Sequence, residues 1–148
     1  MKKISGYFLV NLGAGSDVGS VREQNEDAFH TLLGTGSDNE FFDALLIVAD
    51  GMGGHAAGEV ASEMAVTNLP KHLVEGMSSA NDQDDLAEIL SESVRKTNRD
   101  IFDKSKEDET RGMGTTLTAG MVVESEFIYA HVGDSRGYLL SEGSIEQF

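Results

Sequence analysis

The residues whose chemistry stands out follow the apolar run at residues 44–49. Asp50 comes directly after this run, and Gly51, Gly53 and His55 follow it closely. An acid at the end of a buried strand can hold a metal ion, because it is fixed in place and reaches out of the sheet. Glycines between a strand and a helix can instead hold the phosphates of a nucleotide. The segment therefore has two candidate ligands of different chemistry.

The nucleotide interpretation rests on Gly51, Gly53 and Ala56, which fit the G-x-G-x-x-G/A spacing of dinucleotide-binding loops. The charge of Asp50 counts against it, because it would face the pyrophosphate that the helix N-terminus should attract. The segment before Glu75, where a ribose-binding acid is expected, also lacks a convincing strand. A P-loop is excluded, since the sequence has no G-K-[ST]. A tight turn without chemistry is the third interpretation.

Acids at other strand ends favour the metal interpretation. Glu26 and Asp27 precede the apolar segment 28–33, and Asp134 follows the segment 127–132. Each acid alone is more often a turn or capping residue, but three acidic strand ends in one small domain favour a shared site. Oxygen ligands, both carboxylate and carbonyl, suit Mg²⁺ or Mn²⁺.

Arg22 is the candidate phosphate-binding residue. It lies four residues before Glu26, close enough in a loop to reach the same site. A planar guanidinium beside a metal cluster is a good receptor for a phosphate dianion. The alternative for Arg22 is a salt bridge to Glu23 or Glu26.

Composition limits the partners. The 148 residues suffice for one domain with a core, and 26 acids against 11 Lys and Arg give a net charge of −15. Such a surface repels nucleic acid and anionic lipid, so we expect neither as a partner. The absence of cysteine excludes disulfides, thiolate zinc sites and a cysteine nucleophile. The start of the chain is interpreted as a first strand rather than a signal peptide, and no stretch approaches a membrane span, so we expect a cytoplasmic protein.

Periodicity predicts strands, then two helices, then strands. The expected strands lie at residues 7–10, 28–33, 41–49, 115–123, 127–132 and 136–140. One helix runs from His55 and is bent or ended by Pro70, and the other runs from a cap at Asn81 or Asp82 to about Lys106. This order favours an α+β fold over regular βαβ alternation. Residues 145–148 look like the start of a returning hairpin strand, so we expect the single domain 1–148 to be cut short at its C-terminus.

Four segments, in this order, resemble successive motifs of one family: SDVGSVREQNEDAF, LLIVADGMGGHAAGEVAS, GMGTTLTAGMV and YAHVGDSRGYLL. The family is that of the metal-dependent serine/threonine protein phosphatases (PPM, or type 2C), and the segments are most similar to its bacterial branch. The resemblance implies two packed antiparallel sheets flanked by helices, a four-layer α-β-β-α sandwich with a metal cluster at one end. It also implies hydrolysis of phosphoserine and phosphothreonine in proteins by a metal-activated water, with no need for a covalent phosphoenzyme.

The resemblance assigns metal ligands. By analogy, Asp50 bridges two Mn²⁺ or Mg²⁺ ions, and the Gly51 carbonyl binds one of them. Glu26 and Asp27 match the acidic pair that ligates metal and holds its water, with the direct ligand of the two left open. Asp134 matches the aspartate that contacts a third, more loosely held metal in bacterial members.

The resemblance also assigns roles around the metals. Arg22 matches the phosphate-binding arginine, and His55 is the candidate proton donor to the leaving oxygen. The alternative for His55 is a helix-start histidine with only local hydrogen bonds. The pairs Thr115 and Thr116, and Ser135 and Arg136, look like structural supports beside the site. The implied partners are phosphorylated proteins, with the enzyme opposing a serine/threonine kinase.

One departure bears on activity. Domains of this family are longer, and two further metal-binding aspartates, in a D-G and a D-N motif, have no match in this chain. We therefore expect an N-terminal portion of the catalytic domain whose own metal ligands are too few. A catalytically inactive, partner-binding phosphatase-like module is the alternative function, and a dinucleotide-binding domain is a weaker one.

Overall fold

A computed structural model describes residues 10–34, 41–53, 57–80, 85–124 and 126–148. In these ranges, strands and helices alternate in blocks. The elements are β1 (Asp27–Leu33), β2 (Ala44–Met52), α1 (Ala57–Ser79), α2 (Leu86–Lys104), a 3₁₀ turn (Asp108–Thr110), β3 (Gly114–Thr115), β4 (Leu117–Val123), β5 (Glu126–Val132), β6 (Tyr138–Ser141) and β7 (Ser144–Gln147).

Two antiparallel sheets form. The larger has the order β1-β2-β4-β5, with β3 also pairing with β2, and the smaller is the β6-β7 hairpin. The two helices pack against each other, and both contact the larger sheet. The α+β class with two antiparallel sheets and flanking helices is thus confirmed. The predicted returning strand is also present as β7, joined to β6 through Glu142 and Gly143, which both have positive φ.

The alternation of β2 decides which side chains reach the site. Leu45, Ile47 and Ala49 are fully buried in the core with α1, whereas Val48 and Asp50 are exposed. Successive side chains of a strand point to opposite faces, so the register that buries Ala49 necessarily presents Asp50 on the other face. The apolar segment predicted at 41–49 therefore continues as a strand through the acid and glycine that follow it.

Helix α1 does not end at Pro70, contrary to one part of the expectation, but continues to Ser79. An internal proline loses one hydrogen bond and costs about 3 kcal/mol. Beyond it, Leu73 is fully buried and Met77 nearly so. Burial of two such side chains contributes about 3–6 kcal/mol, which offsets that cost.

The start of α2 differs from the prediction. Its N-cap is Asp85, whose carboxylate accepts a hydrogen bond from the Ala87 N–H at 2.8 Å. Asn81 and Asp82, the predicted caps, lie outside the described residues, as does most of the strand predicted at 7–10. Among the described residues, neither helix combines the length and apolar character needed to cross a bilayer.

Candidate metal centre

The β1-β2 hairpin places two candidate ligands face to face. In its register Asp27 lies directly opposite Asp50. Opposite residues of an antiparallel pair present their side chains on the same face, about 4.5–5.5 Å apart at Cβ. The two strand-end acids found in the sequence are therefore brought together by the pairing itself.

The pKa of Asp50 is affected by other carboxylates nearby. Although the residue is exposed overall, partial desolvation raises the pKa of its carboxyl, and the charges of Asp27 and Asp134 and a hydrogen bond with Asp27 raise it further. The positive charge of Arg22 acts in the opposite direction. Asp134, predicted from a distant strand end, thus lies close enough to act on the same group.

Glycines let the start of α1 pack onto the end of β2. A Cβ on Gly51 would lie 2.5 Å from the Gly58 carbonyl carbon and 2.7 Å from the Glu26 oxygen of the backbone. The Gly51 N–H donates to that Glu26 carbonyl at 3.0 Å. A Cβ on Gly58 would in turn lie 2.6 Å from the Glu26 carboxylate oxygen Oε1. Glu26 is thus enclosed by backbone that only glycine permits.

Arg22 and Glu26 form an ion pair at the mouth of a polar cleft. The Arg22 Nη1 lies 3.4 Å from Glu26 Oε2, and the arginine side chain is 75% exposed, against 19% for the glutamate. The cleft has a volume of about 220 Å³. Its lining comprises Asp17, Val18, Arg22, Gln24, Asn25, Glu26, Asp27, Asp50 and Gly51. The salt bridge expected as the alternative for Arg22 is present, and it leaves the guanidinium accessible from solvent.

Some residues of this site were missed at the sequence level, and one predicted residue falls outside the described ranges. Asp17 was not singled out, although its carboxylate accepts from the Gly19 N–H at 2.7 Å, and the D-x-G spacing of such a turn is readable in sequence. Gly58 was also missed; an isolated glycine inside a helical pattern is the signal that could have found it. His55, the candidate proton donor, lies outside the described residues.

The donor set fits a hard divalent cation in kind. It consists of carboxylates and backbone oxygens, which Mg²⁺ and Mn²⁺ prefer, and the raised pKa of Asp50 indicates negative charge that a cation would offset. Within the described ranges, however, no group of three or more His, Cys, Asp or Glu side chains is arranged to hold a metal ion. The ligand types therefore fit, while the described residues do not form a full ligand shell.

The dinucleotide interpretation finds no support in this topology. A dinucleotide loop joins a strand to a helix that leads back to a parallel strand. Here α1 is followed by α2, and the strands next to β2 run antiparallel to it. Asp50 and Asp27 also place two negative charges where a pyrophosphate would have to bind.

Comparison with known proteins gives a consistent result. A family model described as protein phosphatase 2C matches residues 14–148. The chain is 38% identical over 133 residues to the serine/threonine phosphatase stp of Listeria monocytogenes, and the matched region covers 89% of this chain and 50% of that protein. It is 40% identical over 141 residues to the serine/threonine protein phosphatase PstP of Mycobacterium tuberculosis, which covers 95% of this chain and 24% of that one.

A solved structure supports the same relationship. The crystal structure of the Mycobacterium tuberculosis serine/threonine phosphatase PstP/Ppp superimposes with a TM-score of 0.70 at 41% identity. The match covers 90% of this chain and 51% of that chain. This chain thus spans about half the length of the chain in that crystal structure.

Proposed function

The chain belongs to the protein phosphatase 2C family, and from this membership we propose that its protein hydrolyses phosphoserine and phosphothreonine in other proteins. One observation carries the proposal. Asp27 lies opposite Asp50 in the hairpin, and the charges of Asp27, Asp134 and Arg22 all act on the Asp50 carboxyl. Acids that bind a cation, next to a planar cation that binds a phosphate, are what metal-assisted phosphate hydrolysis needs.

The acids would hold Mn²⁺ or Mg²⁺. We assign this role to Asp50, the Gly51 carbonyl, Asp134 and the pair Glu26 and Asp27. When bound, such cations lower the pKa of a water molecule and withdraw charge from a phosphoryl group. The residues of the chain fix where this happens, because β-pairing and backbone packing hold Asp27, Asp50 and Glu26.

Arg22 would receive the phosphate. Its bond to Glu26 is long, at 3.4 Å, and its side chain is largely exposed. Exposed ion pairs of this kind are weak, so a phosphate dianion can replace the glutamate as a partner at little cost. The guanidinium then binds two phosphate oxygens in its planar fork and stabilises charge that develops on them.

His55 would donate the proton to the departing serine or threonine oxygen, as a general acid. This role stays a prediction, since His55 lies outside the described residues. The expected opposition to a serine/threonine kinase and the cytoplasmic location are likewise proposals. So is the expectation that this domain continues beyond residue 148.

A second candidate is a phosphatase-like module without catalysis of its own. The observation that favours it is the missing ligand shell among the described residues. On this alternative the cleft binds a phosphorylated partner weakly through Arg22, without turning it over.

Hydrolysis of p-nitrophenyl phosphate and of a phosphothreonine peptide tests the proposal. Both assays are run with Mn²⁺ and with EDTA, on this chain and on the product of the complete gene. We expect Mn²⁺-dependent turnover by the complete protein, its loss in Asp50→Asn, and little turnover by this chain. Gly15→Ala is the matched control, since a Cβ there meets no atom within 4 Å. Metal-independent turnover, or full activity of Asp50→Asn, would refute the metal assignment, and a complete protein without turnover would favour the second candidate.

A further inference from the structure

A threonine hydroxyl replaces a backbone carbonyl in the sheet beside Asp50. The pairs Val48–Thr118 and Gly51–Thr115 place Thr116 opposite Asp50, at the break between β3 and β4. In a regular antiparallel ladder, the two residues of a hydrogen-bonded pair exchange two N–H···O=C bonds. Here the Thr116 N–H donates to the Asp50 carbonyl at 2.9 Å, but the Asp50 N–H donates to the Thr116 hydroxyl, also at 2.9 Å.

The displaced carbonyl has a partner of its own. The Thr115 hydroxyl donates to the Thr116 carbonyl at 2.9 Å. Both backbone groups of Asp50 are therefore satisfied by Thr116, one of them through a side chain. This explains why the predicted strand 115–123 is interrupted at Thr116.

The same side chain supports the loop that carries Asp134. The Thr116 hydroxyl lies 2.8 Å from the Ser135 hydroxyl. The Thr116 methyl lies under Gly133, where an added Cβ would come within 2.6 Å of it and where φ is +114°. Thr116 is only 3% exposed. The loop thus lies directly on this threonine, on both sides of Asp134.

We propose that Thr116 is a positioning residue that fixes the carboxylates of Asp50 and Asp134 relative to each other. The inference rests on the proposed function, in which both acids hold metal. A β-branched side chain has few χ1 rotamers, so the hydroxyl and the methyl of Thr116 are oriented together. One rotamer therefore places the Asp50 backbone and the loop at 133–135 at once. Partners that orient metal ligands in this way typically contribute 10–100-fold to metal affinity.

Two substitutions separate the functions of the side chain. Thr116→Val keeps the methyl and the branched shape but removes the hydroxyl. Thr116→Ser keeps the hydroxyl but removes the methyl. Thr97→Val is the matched control, because it also removes a buried threonine hydroxyl, one that donates to the Ser93 carbonyl within α2 at 2.9 Å and contacts neither acid's segment.

Two measurements are made on this chain, labelled with ¹⁵N. Backbone amide exchange reports the hydrogen bond of Asp50, and Mn²⁺ titration followed by paramagnetic line broadening reports metal binding. We expect Thr116→Val to speed exchange of the Asp50 amide and to raise the Kd for Mn²⁺ about 10-fold or more. We expect Thr116→Ser to keep the Asp50 amide protected and Thr97→Val to change neither quantity.

The results that overturn the proposal are specific. If the Asp50 backbone amide exchanges at the same rate in Thr116→Val as in the unsubstituted chain, the proposal is wrong. Equal losses of Mn²⁺ affinity in all three variants, in proportion to their losses of unfolding free energy, would show a merely structural role and overturn it too. If the unsubstituted chain shows no Mn²⁺ broadening, the metal assignment of this chain fails. The exchange data then still decide the positioning of Asp50, since they need no metal.

Discussion

Replacing Gly58 with alanine sets helix propensity against packing, and the sign of the result tests the geometry of the site. In a helix interior alanine is more favourable than glycine by about 1 kcal/mol. At Gly58, near the start of α1, the added Cβ would lie 2.6 Å from Glu26 Oε1, 2.9 Å from its Cδ and 3.0 Å from the Gly51 carbonyl carbon. Propensity alone therefore predicts a more stable protein, and the contacts predict a less stable one.

The contacts should outweigh propensity. Forcing an extra methyl group into a filled site typically costs about 1–3 kcal/mol. The Glu26 carboxylate could move, but the Gly51 carbon belongs to backbone held by a hydrogen bond to Glu26. Subtracting about 1 kcal/mol of propensity leaves a net loss of about 1 kcal/mol in the free energy of unfolding, or about 2–4 °C in Tm.

Urea unfolding followed by far-UV circular dichroism measures the change. Gly15→Ala is the control, because its Cβ would contact no atom within 4 Å. A double-mutant cycle with Glu26→Ala assigns the cause, since removing the carboxylate removes the two closest side-chain contacts. We expect a coupling free energy of at least about 0.5 kcal/mol between positions 58 and 26.

A stabilised Gly58→Ala protein would refute this reasoning. So would a loss that is the same with and without the Glu26 side chain, because the steric cause would then lie elsewhere. A loss of unfolding free energy with the expected coupling would show that position 58 must be glycine because the Glu26 side chain lies against it.

Three further predictions concern charge and hydrogen bonding. Asp50→Asn should raise Tm at pH 7 by about 1–2 °C, since it removes a like-charge pair with Asp27 worth about 0.5 kcal/mol. Because the pKa of Asp50 is raised in the fold, its stabilising contribution is present at low pH and lost as pH rises through that pKa. The gain in Asp50→Asn should therefore vanish in acid, and a Tm difference that persists there contradicts the assignment. Arg22→Ala should leave unfolding by urea within about 0.5 kcal/mol of the original chain, because its ion pair is exposed. The same variant should bind inorganic phosphate about 10-fold more weakly in the presence of Mn²⁺, as measured by calorimetry. Equal affinities of the variant and the original chain would show that Arg22 does not bind the phosphate. Asp100→Ala should cost about 1–3 kcal/mol in urea unfolding, because it removes the partner 2.7 Å from His72 Nε2. Asp100→Asn keeps an acceptor there, so equal losses in the two variants would rule out this hydrogen bond as the cause.

The ends of strands were predictable because they depend on local pattern. An apolar segment before or after an acid places that acid at a strand end, and a hairpin then fixes which acids meet. This is how Asp27 and Asp50 could be expected together and are found directly opposite each other. The resemblance to a known family added roles for these residues, not their pairing.

Features that depend on tertiary packing could not be read from pattern. Helix α1 continues past Pro70 because residues beyond it are buried, which local propensity does not reveal. The insertion of the Thr116 hydroxyl into the ladder depends on a loop seventeen to nineteen residues later in the chain, at Gly133 and Ser135. A sequence of alternating β-formers is typical of an uninterrupted strand, so the break there carries no local signal.

The glycines after Asp50 show why one sequence spacing is shared by two kinds of site. In a dinucleotide loop, glycine lets the backbone approach a pyrophosphate. Here Gly51 is required because neighbouring protein atoms leave no room for a side chain, which would clash with the Gly58 carbonyl group and the backbone of Glu26. Both sites need a helix to begin close to the end of a strand, and glycine satisfies that need in either case. The residue before the glycines then favours one ligand over the other, because Asp50 brings negative charge to this end of the strand and Asp27 doubles it. A phosphate can approach such a pair only if cations lie between them, so under the proposed function the same spacing that favours a nucleotide elsewhere serves a metal-bound phosphate here.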